Sequence, residues 1–169
     1  DEMEFYATSD GGQLWSVSQF NANSSLNNLF VMDNLTCWIP SNFGKVFKTA
    51  DGGQSWDTIV IDPGLINYEV HLYDSMHGIV LAKNSSYTTY DCGETWYESL
   101  YPSTFYFEAC GFSDGGNICL LNDGKILNSS DFGNSWNMDE VLTDKDFRAV
   151  ARLSQNEVIV AGDNGLMFK

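Results

Sequence analysis

The stretch TADGGQSWDTI, residues 49–59, places a turn signal, Asp51-Gly52-Gly53, a few residues ahead of a tryptophan, with a β-branched run behind it. A metal loop, a catalytic turn and a plain strand connection all use such residues, and the stretch read alone does not separate them. Sliding it along the 169-residue chain does, because self-similarity at a fixed period changes the reading of every residue in it. It recurs as TSDGGQLW at 8–15, TADGGQSW at 49–56, TYDCGETW at 89–96 and SSDFGNSW at 129–136. The aspartates at 10, 51, 91 and 131 are 41, 40 and 40 residues apart, and each copy obeys (S/T)-x-D-x-G-x-x-W.

The residues between these boxes share one frame. Ahead of Asp51, Leu29-Phe30-Val31, Thr36-Cys37-Trp38-Ile39 and Lys45-Val46-Phe47-Lys48 are short β-rich runs split by turn residues. The same frame holds YEVHLYDSMHGIVLAKNSSYTTY, FEACGFSDGGNICLLNDGKILNS and FRAVARLSQNEVIVAGDNGLMFK. Each repeat supplies three strands before its box and a fourth after it, at 56–61, 96–100 and 136–142. Four antiparallel strands every forty residues is the pattern of a propeller blade. The expected fold is all-β: a β-propeller of four-stranded antiparallel blades in about four repeats. It forms one domain over 1–169, with repeats at 1–26 (partial), 27–65, 66–103, 104–143 and 144–169 (partial).

The motif resembles the Asp box, or BNR repeat, of β-propellers such as sialidases, xyloglucanases, sortilin-type receptors and photosystem II assembly factors. Its blade pattern, G-x-hydrophobic-hydrophobic-x-T-x-D-G-G-x-S-W, looks most like the photosystem II assembly-factor type. The resemblance covers essentially the whole chain and implies architecture; the same box decorates enzymes and plain binding scaffolds alike.

Turn chemistry accounts for the box residues without catalysis. An Asp side chain accepts hydrogen bonds from nearby backbone N–H groups, and the glycine two residues on takes positive φ without a Cβ clash. Asp10, Gly12 and Trp15, Asp51, Gly53 and Trp56, Asp91, Gly93 and Trp96, and Asp131, Gly133 and Trp136 are therefore expected to pin the connection from third to fourth strand. Calcium loops stack several acidic ligands at alternate positions, whereas each box has one aspartate. No metal site, catalytic residue or cofactor is expected. The two ends of the chain both align with third strands, residues 4–8 and 165–169, so the ring either closes as a four-bladed composite or continues as part of a larger one. An incomplete ring would leave edges open to self-association.

With 8 Lys and Arg against 23 Asp and Glu, the net charge of -15 argues against nucleic acid, whose binding rests on basic residues and released counterions. No apolar run of about 18 residues occurs, so no membrane span is expected. In the repeat frame Cys110 and Cys119 fall on neighbouring first and second strands, and symmetric pairing about residues 114 and 115 would set them opposite one another. That opens a disulfide between them, with a weaker option between Cys37 and Cys92, and with it an extracellular or periplasmic location.

A sialidase-like site would imply an arginine cluster and an Arg-Ile-Pro motif; the chain has Arg148 and Arg152 alone and no such motif, which argues against sialidase activity. His71 and His77 have no Cys or acid at metal-ligand spacing. Function is expected on the face away from the boxes, in the loops at 21–28, 40–43, 62–67, 83–86, 101–104, 122–124, 143–146 and 163–165. Its candidate binding residues are Phe43, Asp62, Tyr101, Asp123, Asp144 and Asp163, with Phe105 beside them. The resulting expectation is a secreted, non-catalytic β-propeller that binds a protein or a glycan. The alternative is a fragment of a glycoside-hydrolase-type propeller, sialidase- or xyloglucanase-like, using two loop carboxylates.

Overall fold

A computed structural model of the chain describes residues 2–103, 105–122, 125–140, 147–154 and 156–168. Its strands are β1 (Glu2–Ala7), β2 (Ser16–Asn21), β3 (Phe30–Val31), β4 (Cys37–Pro40), β5 (Lys45–Thr49), β6 (Asp57–Val60), β7 (Asn67–Leu72), β8 (Gly78–Ala82) and β9 (Ser85–Thr89). They continue as β10 (Tyr97–Leu100), β11 (Ala109–Ser113), β12 (Asn117–Asn122), β13 (Lys125–Ser129), β14 (Asn137–Glu140), β15 (Phe147–Arg152), β16 (Val158–Gly162) and β17 (Met167–Phe168). Three sheets have four strands in simple sequential order, β3-β4-β5-β6, β7-β8-β9-β10 and β11-β12-β13-β14. β1-β2 form a two-stranded sheet and β15-β16-β17 a three-stranded one. Among the described residues no helix is long and apolar enough to cross a membrane.

The register follows from side-chain alternation, since one face of each strand must reach a core. The second strands β4 and β8 have neighbours on both edges, and their sequences are apolar throughout: Cys37, Trp38, Ile39 and Pro40 are all buried, as are all five residues of β8. The fourth strands β6 and β10 are mostly exposed and carry Asp57, Thr58, Glu98 and Ser99.

The chain divides into two compact units, residues 1–74 with 80–82, and residues 75–79 with 83–169. In the first, Ala22, Cys37, Ile39 and Phe47 form a buried cluster, against which Met3, Phe5, Phe20, Leu26 and Trp56 pack. In the second, Leu121, Phe147, Val160 and Leu166 play that part, with Ala109, Ile126, Val150 and Val158 around them. There Gly111 of β11 lies so close to β15 that a Cβ would sit 3.1 Å from the Arg152 nitrogen. β9 is a polar strand that is nevertheless fully buried. Its hydroxyls are satisfied across the packing, Ser86 donating to the Gly133 carbonyl at 3.0 Å and Thr88 to the Phe132 carbonyl at 3.3 Å.

The hairpin from β11 to β12 corrects one expectation. Its turn holds three residues, 114–116, with Gly115 and Gly116 at positive φ, so Ser113 pairs with Asn117, Cys110 with Leu120 and Gly111 with Cys119. A shift of one residue flips a side chain to the other face. Cys110 and Cys119 therefore point to opposite faces and are thiols in the structure, as are Cys37 and Cys92. Burial pushes the Cys37 thiol up to about 12 and raises that of Cys119.

Candidate functional site

Every box folds on itself in the same way. In the second, the Thr49 hydroxyl donates to Asp51 Oδ1 at 2.8 Å and accepts the Gly53 N–H at 2.9 Å. The Ser55 N–H donates to Asp51 Oδ1 at 2.9 Å, and the Ser55 hydroxyl to Oδ2 at 2.6 Å. Thr89, Asp91, Gly93 and Thr95 repeat this pattern, as do Ser129, Asp131, Gly133 and Ser135. In the first box, Leu14 stands where the others have a hydroxyl, and Asp10 accepts the Gln13 and Leu14 N–H groups at 2.9 and 3.0 Å. Charge-assisted bonds favour the ionised carboxylate. The Ser55 hydroxyl above all holds Asp51 down at about 2, and the Leu14 N–H chiefly lowers Asp10.

The position after each aspartate is left-handed, with φ 73° at Gly11, 73° at Gly52, 61° at Cys92 and 62° at Phe132. The following glycine is at φ 83–89° in all copies, and in two of them it also has no room. A Cβ on Gly53 would meet Phe5 Cδ1 at 2.5 Å, and one on Gly133 would meet Ile79 Cδ1 at 2.2 Å. Trp56 packs on Phe5 and Phe20 with ring centroids 5.1 and 4.6 Å apart. Trp136 packs on Tyr101 at 5.2 Å and donates to the Ser86 hydroxyl at 2.9 Å. All four box carboxylates accept hydrogen bonds within their own turns, and the remaining loops lie at the other ends of the strands.

In the first unit three of the expected loops converge. Ser41, buried, donates to the Ser25 carbonyl at 2.8 Å and shares a short hydrogen bond with the Ser24 hydroxyl. Ser24 Oγ donates to the Asn42 carbonyl at 2.9 Å, and the Asn27 side chain donates to the Asn67 carbonyl. Leu26 bridges to Ser41, and Asn42 to Ile66. The Gly44 N–H donates to the Leu65 carbonyl and the Ile61 N–H to the Gly44 carbonyl, at 2.9 and 2.8 Å. Gly44 is obligatory there, since a Cβ would overlap the Asp62 carbonyl oxygen at 1.7 Å. Phe43 stands at the tip of this braced turn, 60% exposed and at φ 61°, a conformation that is uncommon for a bulky residue. Asp62 is beside it in sequence-distant register, exposed, accepting the Gly64 N–H at 3.0 Å in an Asx-type turn.

In the second unit Asp163 is clamped by Arg148, whose Nε and Nη2 donate to its two oxygens at 3.1 and 3.0 Å. Glu108 approaches the same guanidinium at 3.4 Å. Hydrogen bonding from Arg148 lowers the Asp163 carboxyl. Tyr101 and Phe105, expected as exposed binding aromatics, are buried, at 6% and 2% exposure. Tyr101 is the seat of the Trp136 ring. The repeat frame carried that signal, because Tyr101 follows Trp96 by five residues as Phe20 follows Trp15, and Phe20 seats Trp56. Asp123 and Asp144 lie outside the described residues.

No family model matches the chain. Over 135 residues it is 26% identical to the photosystem II assembly protein Ycf48 of Thermosynechococcus vestitus, covering 76% of this chain and 39% of that protein. It is 24% identical to the photosystem II assembly lipoprotein Ycf48 of a Synechococcus species, covering 73% and 38%. The solved structure described as YCF48 bound to D1 peptide superposes with a TM-score of 0.80 at 18% identity, over 97% of this chain and 55% of that one. The chain is an all-β propeller. Its likeness to the photosystem II assembly-factor type, expected from the blade pattern, is found in sequence and in structure alike. The chain spans under two-fifths of the length of these curated relatives.

Proposed function

We propose that this propeller is a non-catalytic module that binds a protein partner through the loop cluster around Phe43. The observation that carries the proposal is Phe43 itself. A large apolar side chain is held in a left-handed turn, 60% exposed, by loops in which the Ser24 and Ser41 hydroxyls and the Asn27 amide brace one another. Backbone strain of about 1–3 kcal/mol persists where the surroundings impose it, and an exposed aromatic on a rigid tip is the form of a binding anchor. The superposable YCF48 structure is described as holding a peptide, which supports a protein as the ligand class. At a net charge of -15 the partner surface is basic.

The boxes are structural on this reading: Asp10, Asp51, Asp91 and Asp131 each accept hydrogen bonds from within their own turn. The chain is one domain of repeated blades, and Asp62 contributes its charge beside Phe43. The lipoprotein relative supports a location outside the cytoplasm. Glycan binding and glycoside hydrolysis are the rival outcomes of one experiment. A displayed peptide library is panned on the chain, with the Phe43→Ser variant as counter-selection, beside a glycan array and a reducing-sugar assay. Enriched peptides with basic residues that bind the variant about tenfold more weakly, in line with loss of one anchor, are the expected result. Sugar release that disappears in Asp62→Asn would overturn the reading.

A further inference from the structure

The repeat carries its own control, since a residue that the box turn needs recurs in every copy and one found in a single copy is not required by it. Around the third box the frame is broken three times by a ring. Tyr90 fills the second box position, where the other copies have Ser9, Ala50 and Ser130, and Tyr97 follows the box tryptophan, where they have Ser16, Asp57 and Asn137. His77 follows the residue whose carbonyl accepts the N–H after the box aspartate, a place held by Thr36 beside the second box and Asn117 beside the fourth. The three rings form a row: His77 meets Tyr90 at 5.8 Å between centroids and 76°, and Tyr90 meets Tyr97 at 5.8 Å and 55°. All three belong to the second compact unit and all are exposed, Tyr90 by 42% and Tyr97 by 57%. The row is also held in place. The Tyr90 hydroxyl donates to Asn134 Oδ1 at 2.9 Å, and the Asn134 amide donates to the Asp131 carbonyl at 2.7 Å, which ties the ring to the next box. Ser99, on the same side of β10 as Tyr97, donates to the Asn134 carbonyl at 2.9 Å.

The charge along this part of the chain has one sign. Residues 84–122 hold Asp91, Glu94, Glu98, Glu108 and Asp114 and no Lys or Arg. Asp114, exposed, is the counterpart one repeat back of Ser154, and Ser154 shares a groove with Ser130, the counterpart of Tyr90. The repeat frame thus sets the Asp114 carboxylate on the Tyr90 side of the row. We infer that the row is a docking surface for an arginine side chain of a partner protein, its guanidinium stacked on Tyr90 and Tyr97 with Asp114 as the counter-charge. An aromatic face attracts a cation through its quadrupole, and an acid beside it adds to that attraction. Arginine fits better than lysine, because its guanidinium is planar, weakly hydrated and able to stack on a ring while its N–H groups reach a carboxylate. Tyrosines whose geometry is fixed before the partner arrives lose little freedom on binding. The surface shares no residue with the Phe43 loops and does not depend on them.

The test titrates the peptide GSGRGSG into the isotope-labelled chain and follows its backbone amide resonances. Saturable shifts centred on residues 77, 90, 97 and 134 are expected. The Tyr90→Ser/Tyr97→Asn double variant installs the pair that the fourth box already uses and leaves the net charge as it is, so it should fold, with an unchanged urea midpoint, and bind about tenfold more weakly. Replacing the peptide's arginine by citrulline, which keeps the shape and removes the charge, should cost about tenfold as well, and Asp114→Asn about threefold. Citrulline and arginine peptides that bind alike would mean ring contact without a cation and would overturn the inference, an outcome that does not depend on any variant folding. Arginine binding unchanged in the double variant would overturn it too, leaving only bulk attraction to a chain of net charge -15. So would the absence of shifts in the unmodified chain. A neutral oligosaccharide that moves the same resonances, and loses its hold in the double variant, would make a glycan the occupant. Binding retained in Phe43→Ser but lost in Tyr90→Ser/Tyr97→Asn is the expected sign that the row and the loop cluster are separate; the reverse pattern would assign the peptide to the loops and overturn the inference.

Discussion

The first box and the second are near copies in sequence, TSDGGQLW and TADGGQSW, and their backbone turns are held by the same Thr and Asp acceptors, yet Trp15 is 58% exposed while Trp56 stacks on Phe20 and meets Phe5 edge to face. The turn is made by residues within eight of one another, so it forms wherever the pattern occurs. Burial of the tryptophan is made by the preceding sheet, and Trp56 has the β1-β2 hairpin to rest on. Trp15 instead donates to its own Gly12 carbonyl at 3.2 Å. The box is thus a local device that presents a ring, and its worth to stability is set by the neighbour. A tryptophan in this motif should not be counted as core until its seat is found.

Trp56→Ala should separate the two boxes most widely. It removes a ring packed at 5.1 and 4.6 Å on Phe5 and Phe20 and leaves a cavity, at a cost of about 3 kcal/mol. Trp15→Ala should cost less than about 1 kcal/mol, as exposed substitutions do. Urea unfolding of the two variants side by side measures the difference. Equal losses would mean that Trp15 is covered in solution.

Gly53→Ala against Gly12→Ala narrows the comparison to packing alone. Both glycines have nearly the same φ, 88° and 89°, so the backbone cost of about 1–2 kcal/mol is common to both and cancels. Only at Gly53 does the new methyl collide with Phe5, whereas at Gly12 the nearest atom is Trp15 Cζ2 at 3.7 Å. The excess loss for Gly53→Ala is expected at about 1–3 kcal/mol, the usual range for overpacking. The same urea titration reads it.

Much of this was legible in the sequence, for a physical reason. A repeat multiplies each weak turn and strand signal by the number of its copies, and the strand frame, the sheet order and the box turns all follow from it. What it misplaced depends on tertiary neighbours or on single residues of register. Tyr101 reads as a loop aromatic by position and is buried because Trp136 lies on it. Cys110 and Cys119 look opposed until the turn proves to hold three residues. The bracing of Phe43 by Ser24, Ser41 and Asn27 leaves no trace in a sequence where serine and asparagine are common in every loop.

The hydroxyl that the first box lacks gives a gain-of-function version of the comparison. Ser55 donates to Asp51 through both its N–H and its hydroxyl, and Leu14, 76% exposed, occupies the matching place beside Asp10. A carboxyl lowered from 3.8 in the folded state contributes stability that is complete above its unfolded value and is lost as pH falls through the folded value. For Asp51 that window runs from about pH 4 to about pH 2. Leu14→Ser should extend the acid tolerance of the first box toward that of the second, and Ser55→Leu should shorten the second toward the first. Tryptophan fluorescence followed from pH 5 to pH 2 checks both; an unchanged acid midpoint in Ser55→Leu would show that the hydroxyl does not set it.

The smallest expected effect concerns the third box, where Cys92 fills at φ 61° the place that glycine holds in the first two. An L-residue in the left-handed region costs roughly 1 kcal/mol that glycine does not pay, while glycine gives back part of this through the entropy of the unfolded chain. Cys92→Gly should therefore stabilise by only about 0.5 kcal/mol. Phe132→Gly at the equivalent place in the fourth box relieves the same strain at φ 62° but should destabilise, because the Phe132 ring covers Gly116 so closely that a Cβ there would lie 2.5 Å from it. Opposite signs at two positions with the same backbone angle would show that the packing of the Phe132 ring on Gly116 outweighs the strain of its turn. Like signs would place the strain, and not the packing, in control at both.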